Sequence, residues 1–139
     1  MSKAIVPGVN EIIGSGLLAQ GERLSLIASN IANADSVATS GAGAYRAVEP
    51  VFEAVPADPG SAIDAVQVAG VAQSSSPPRT KYDPGSPFAD AAGYVTMSNV
   101  NPVQQMVDLI SASQNYADQI AVMDQTARMN QAMTQSFIT

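Results

Sequence analysis

The stretch NPVQQMVDLISASQNYADQIAVMDQTARMNQAMTQSF, residues 101–137, decides the fold. It contains no Gly, and its one Pro, Pro102, stands at the front, where the first helical N–H groups lack partners anyway. Asn101 can cap the first turn, and Gln104 stands three residues later in the capping-box position. Val103, Met106, Ile110, Ala117, Ile120 and Ala127 then recur at steps of three and four, with Ser113 and Asp124 filling the register. Leu109, Tyr116, Met123 and Phe137 form a second, partly overlapping stripe. A helix with two apolar stripes expects more than one neighbour.

Length sharpens this expectation. About 36 residues at about 1.5 Å each give a rod of about 54 Å, whereas a compact domain of this chain length has a radius of gyration of about 14 Å. Such a helix overruns any globule the chain can build. Its stripes therefore need cover from another long helix, of this chain or of others.

A second helical pattern runs from Val9 to Ala34. Ile13, Leu17, Gln20, Leu24, Ile27, Ile31 and Ala34 alternate by four and three, a heptad seam of the coiled-coil kind. Taken alone, the pattern also fits an ordinary core helix in a small bundle. Gly14, Gly16 and Gly21 each cost about 1 kcal/mol in a helix interior, so this helix depends on packing, and the same glycines admit a close neighbour.

Between the helices the texture changes to Gly, Ser, Pro and short alternating runs. Ser40 to Ala44 reads as a loop, Ser74 to Pro78 as a polar break, and Asp83, Pro84 and Gly85 as a turn. Tyr45 to Val55 and Ala65 to Ala72 carry β-type runs, interrupted by Pro50 and by the turn residues Pro56, Asp58, Pro59 and Gly60. Gly93 to Met97 is a short strand candidate. The expected fold is mainly α with a small irregular β region: long N- and C-terminal helices paired as an antiparallel coiled-coil-like hairpin around a β-containing middle. The expected divisions are residues 1–35, 36–98 and 99–139.

Composition excludes several functions. Of 139 residues 46% are hydrophobic but only 5% aromatic, so the apolar content is small-residue content, which suits close helix packing. A net charge of −6, with acids and bases scattered, argues against nucleic acid and against an anionic membrane surface. Cys and His are absent, which removes disulfides, thiolate nucleophiles, the usual zinc ligands and the common neutral-pH base. Asp83 and Asp90 do not have calcium-loop spacing. Glu49 and Glu53 read as a solvated strand face, and Gly14-Ser15-Gly16 lacks the phosphate-binding Lys. The expectation is a chain with no catalytic, cofactor-binding or metal site. Lys3 is followed by Pro7, Asn10, Glu11 and Gly14, which interrupt any apolar core of a cleaved secretory signal. No run reaches the roughly eighteen apolar residues of a membrane span.

One motif reaches further. ASNIANADSV, residues 28–37, follows the seam residues Leu24 and Ile27 and resembles the N-terminal signature of the bacterial flagellar axial proteins, the rod, hook and hook-filament junction subunits. Asn30, Ile31, Ala32 and Asn33 match its core. The continuation through Asp35, Ser36 and Val37 to Tyr45-Arg46, with YDPGSPFAD (82–90), GYVTMSNVN (93–101) and MVDLISASQNYADQIAVM (106–123), is similar to the proximal-rod member of that family. Gln114, Gln119 and Asp124 depart from it, where subunit-specific contacts would lie.

The resemblance implies a structural subunit of the periplasmic rod of the flagellar basal body. It implies partners among other rod proteins, copies of the chain itself in a helical assembly, the membrane ring, and export-gate or adaptor proteins, with no nucleic acid and no membrane insertion. Export would use the flagellar type III apparatus without a cleaved signal. Asn30, Ile31, Ala32 and Asn33 would be the assembly motif, with Asn30 and Asn33 either ending the helix or bonding between subunits. Seam packing would fall to Ile13, Leu17, Leu24, Ile27, Ile31, Val103, Met106, Ile110, Ala117, Ile120, Met123 and Ala127. A non-flagellar coiled-coil adaptor is the competing class.

Overall fold

The computed structural model describes residues 7–39, 41–57 and 63–136. Two terminal helices, α1 (Pro7–Ala32) and α2 (Pro102–Ser136), flank five strands: β1 (Val37–Ala38), β2 (Val48–Pro56), β3 (Asp64–Gln73), β4 (Arg79–Tyr82) and β5 (Tyr94–Met97). The expected order of helix, β region and helix is therefore present. Ser40, residues 58–60 of the expected turn, and Phe137 of the second stripe lie outside the described residues.

α2 starts where its cap directs. Asn101 Oδ1 accepts the backbone N–H of Val103 (3.1 Å) and of Gln104 (3.3 Å), satisfying two of the orphan donors of the first turn. The capping box itself does not close, because Gln104 turns forward and its Nε2 donates to Asp108 Oδ1 at 3.2 Å. α1 runs unbroken through Gly14, Gly16 and Gly21. It packs on α2, β2 and β3, and this packing offsets its poor intrinsic propensity.

The strands form two antiparallel sheets, β1-β5-β4 and the hairpin β2-β3. The hairpin is more regular than expected. β2 continues through Pro50, which sits opposite Val71, and the only departure is a register shift between Val51 and Phe52. A Pro that cannot donate to a ladder is tolerated here because a two-stranded ribbon leaves one edge of each strand free. β1 and β4 carry no clear sequence pattern; both are held by pairing to β5, whose Val95 is buried.

Among the described residues the buried apolar ones are few and mostly small: Ala19, Ile27, Ala34, Ala65, Val95, Val100 and Ala112. Much of the larger apolar surface stays uncovered, including Leu18, Val51, Phe52, Val66, Val103, Met106 and Ile110. A fold that buries four alanines and few larger apolar residues, while exposing many valines, isoleucines and methionines, has placed much of its apolar surface outward. Among the described residues no helix is long and apolar enough to cross a membrane.

Candidate functional site

The centre of the motif, Asn30, is 1% exposed. Its Nδ2 donates to the Val48 carbonyl (2.8 Å) and to Gln105 Oε1 (2.9 Å). Its Oδ1 accepts from the Val48 N–H (2.9 Å) and the Tyr45 hydroxyl (3.1 Å). The amide thus pairs with both backbone groups of Val48 as a neighbouring strand residue would. An Asn side chain has two donor hydrogens and two acceptor sites, and all four are engaged. One side chain joins α1 to the first residue of β2 and to the first turns of α2.

Asn33 follows the last residue of α1. Its Nδ2 donates to the Ser29 carbonyl (2.8 Å), and its own N–H points at the Ser29 and Asn30 carbonyls. This satisfies carbonyls that a helix end leaves orphaned. No left-handed residue is used, since no described non-Gly residue has positive φ. Ile31 is half-buried and Ala32 exposed. Just beyond, the Ala34 carbonyl accepts Ser98 Oγ (2.6 Å) and Arg79 Nη2 (3.1 Å), while Arg79 Nε donates to the Ser98 carbonyl (3.1 Å). A cation following the end of α1 also suits the helix dipole.

The helix faces complete the picture. α1 meets α2 at Asn30–Gln105, and again at Gly16, where an added Cβ would stand 2.9 Å from Gln119 Oε1. The covered stripe of α2 is Gln105, Leu109, Ala112, Tyr116 and Gln119, alternating by four and three, with Gln105 and Ala112 buried. The more apolar stripe faces out: Val103 is 70% exposed, Ile110 71% and Ile120 43%, and Met106, Ala117, Met123 and Ala127 are exposed too. On α1 the seam residues Ile13, Leu17, Leu24 and Ile31 are half-buried and Ile27 is buried. The structure therefore brings the α1 seam into the chain's interior and leaves the chosen α2 stripe free.

Sequence reading missed Gln105, Tyr45, Arg79 and Ser98. A buried motif amide needs an amide or backbone partner, and Gln105, polar within an apolar helix, was the available signal. Elsewhere Asp90 Oδ1 accepts the Ala92 and Tyr94 N–H groups and shapes a turn. Among the described residues no three acidic side chains converge.

Comparison with known proteins agrees with this layout. Residues 91–136, covering β5 and α2, match the family model for the C-terminal region of flagellar basal body rod FlgEFG proteins. The flagellar basal-body rod protein FlgC of Salmonella typhimurium (strain LT2) is 47% identical over 119 residues, 86% of this chain and 88% of that one. The protein of the same name from Escherichia coli O157:H7 is 46% identical over the same length, with the same shares covered. That of Aquifex aeolicus is 40% identical over 110 residues, 76% of this chain and 78% of its own. Identity of this order along most of both partners leaves one assignment: the chain belongs to the flagellar basal-body rod protein FlgC family.

Proposed function

We propose that the chain is a structural subunit of the flagellar basal-body rod, in its proximal part. Its terminal helices pair as an antiparallel coiled-coil-like hairpin and dock against helices of other rod subunits, including copies of itself. The observation that carries this reading is the uncovered stripe Val103, Met106, Ile110 and Ile120 along a 35-residue helix. Single exposed apolar residues are ordinary, but a row at helical spacing on one face belongs to an interface.

The antiparallel pairing is supported by two contacts that run in opposite directions along the helices, Gly16 with Gln119 and Asn30 with Gln105. The β2-β3 hairpin adds a different outward apolar surface, where Val51, Phe52, Val66 and Val71 are exposed. Two unlike apolar surfaces on one subunit suit head-to-tail contacts, which build open helical assemblies rather than closed pairs. In this reading the subunit crosses the inner membrane through the flagellar type III apparatus and works in the periplasm as part of the drive shaft.

Ile120→Asp tests the reading. Once the stripe is covered, an unpaired carboxylate there costs several kcal/mol, roughly the penalty for any uncompensated buried charge. Cells carrying Ile120→Asp should not swim, while the purified subunit should unfold at nearly its normal temperature. Gln125→Asp, also at an exposed position of α2, should be far milder. Normal swimming by the Ile120 variant removes the assembly reading. Collapse of the purified variant marks Ile120 as an ordinary core residue.

A further inference from the structure

The first residues of the hairpin are held by two asparagines, one before it and one after it in the chain. Asn30 takes both backbone groups of Val48. Asn99 Oδ1 accepts the Ala47 N–H (2.7 Å), its Nδ2 donates to the Ser76 carbonyl (2.8 Å), and its backbone N–H points at the Tyr45 carbonyl (3.4 Å). The Ser74 N–H donates to the Ala47 carbonyl (2.8 Å), and Arg46 Nη1 donates to the Ser74 carbonyl (3.2 Å). Both strands of the hairpin are therefore gripped where they leave the helices.

Farther along, the hairpin lies against α1, where Ile63 Cδ1 is 3.6 Å from the position of a Cβ on Gly8. Ala65 is buried, and the Val66 N–H donates to Ser15 Oγ (3.2 Å). Most of β2 and β3 is exposed, Val51, Phe52 and Val71 included. A two-stranded ribbon with so little burial is marginally stable by itself and depends on what it packs against. Its side-chain amide bonds to the helices are gathered at the base.

We propose that Asn30, together with Asn99, is a positioning residue that fixes the register at which hairpin β2-β3 lies along α1 and its placement relative to α2. The proposal rests on the rod reading above and sharpens it. The motif amide acts within one chain. Its hydrogen-bonding capacity is exhausted by Val48, Gln105 and Tyr45, so none is left for a neighbour. Because Gln105 also anchors α2, the same side chain fixes the hairpin relative to the outward stripe of α2. A subunit that must present its helices and its hairpin to different neighbours at once needs that relation fixed.

Asn30→Asp is the test, since it keeps the shape and the two acceptor bonds but removes both donations. The sequence has no cysteine, so nitroxide labels can be placed only where wanted, at the exposed positions Gln67 on β3 and Gln114 on α2. Pulsed electron paramagnetic resonance should give one narrow distance in the otherwise unaltered protein. In Asn30→Asp the distance should shift or broaden by several ångströms with helical content retained, and cells carrying the variant should not swim. Asn33→Ala, which removes a cap on the same helix but touches neither β2 nor α2, should keep the narrow distance. If Asn30→Asp does not fold, Gln105→Leu removes the α2 arm alone and should broaden the same distance. An unchanged narrow distance in the folded variant overturns the proposal, as does equal broadening in Asn33→Ala. Failure of the rod reading is separate, and shows as swimming by Ile120→Asp cells.

Discussion

The amide of Gln119 occupies the space above Gly16, with Oε1 2.9 Å from where a Cβ on that glycine would be. Oε1 of Gln119 and of Gln20 are both buried with no hydrogen-bond partner. Gln20 lies on the stripe of α1 that also carries Gly16 and Asn30, by helical spacing of three and four. The contact between the helices thus carries amides at both ends around a small apolar centre at Ala112, while the more apolar stripe of α2 faces out.

A first prediction follows from the two unmet acceptors. An unsatisfied buried oxygen costs about 1–3 kcal/mol, and an apolar side chain of similar size avoids that cost. Gln20→Leu and Gln119→Leu should therefore each raise the stability of the purified subunit, by about 1 kcal/mol. The urea midpoint with an unchanged slope measures this. A lower midpoint for either variant would show that the oxygens have donors in solution.

Gly93 gives a sharper local case. Its φ is +83°, and an added Cβ would lie 2.9 Å from Tyr82 Cε2 and 3.2 Å from Pro84 Cβ. The Tyr82 ring packs edge-on against Tyr94 with centroids 5.2 Å apart, so it cannot move without loss. Gly93→Ala combines left-handed strain with this crowding and should cost about 2 kcal/mol. The near-ultraviolet tyrosine signal should fall with it. Unchanged thermal unfolding would show that the turn rearranges freely.

Arg79 separates charge from geometry. Its guanidinium reaches two carbonyls at once, those of Ala34 and Ser98. A lysine ammonium keeps the charge but is a point donor on a flexible stem and cannot span both with the same geometry. Arg79→Lys should lose one of the two bonds, about 1 kcal/mol by the usual worth of such a bond. Hydrogen exchange at β1 and β5 should rise before that in α2. Equal rates in both variants would mean that charge alone holds this corner.

The helices were readable because each has a local signal strong enough to stand alone: the Asn101 cap, the Gly-free run after it, and the heptad spacing from Ile13 to Ala34. The hairpin strands were readable in part. Their Val-rich alternation marked both, but Pro50 looked like an end, because a sequence does not show that a strand will have a free edge. β1 and β4 were not readable, since Val37–Ala38 and Arg79–Tyr82 owe their conformation to β5. The choice of stripe on α2 was the instructive gap. Hydropathy points to Val103, Met106 and Ile110, but the chain turns Gln105 and Gln119 inward because Asn30 and Gly16 receive them. Partner chemistry, not apolarity, selected the inner face.

The last prediction concerns the two glycines with nothing against them. A Cβ added at Gly14 or Gly21 meets no atom within 4 Å, whereas at Gly16 it meets Gln119. Gly14 and Gly21 are seven residues apart and so share one side of α1 with the exposed Leu18 between them. Within the single chain each of these glycines costs helix stability without a packing gain, about 0.5–1 kcal/mol relative to Ala. Gly14→Ala and Gly21→Ala should therefore raise the melting temperature of the purified subunit. In the rod the same side of α1 is proposed to receive a neighbouring helix, and glycine there lets backbones approach closely. The added methyl groups should hold that helix away, so the double variant should be more stable alone yet poorer in motility. Gly16→Ala should show a smaller gain in stability, because the Gln119 amide must swing aside. If the double variant is both more stable and fully motile, the glycine side of α1 faces no helix in the rod. If it is less stable, α1 in solution is not the continuous helix that its packing on α2 requires.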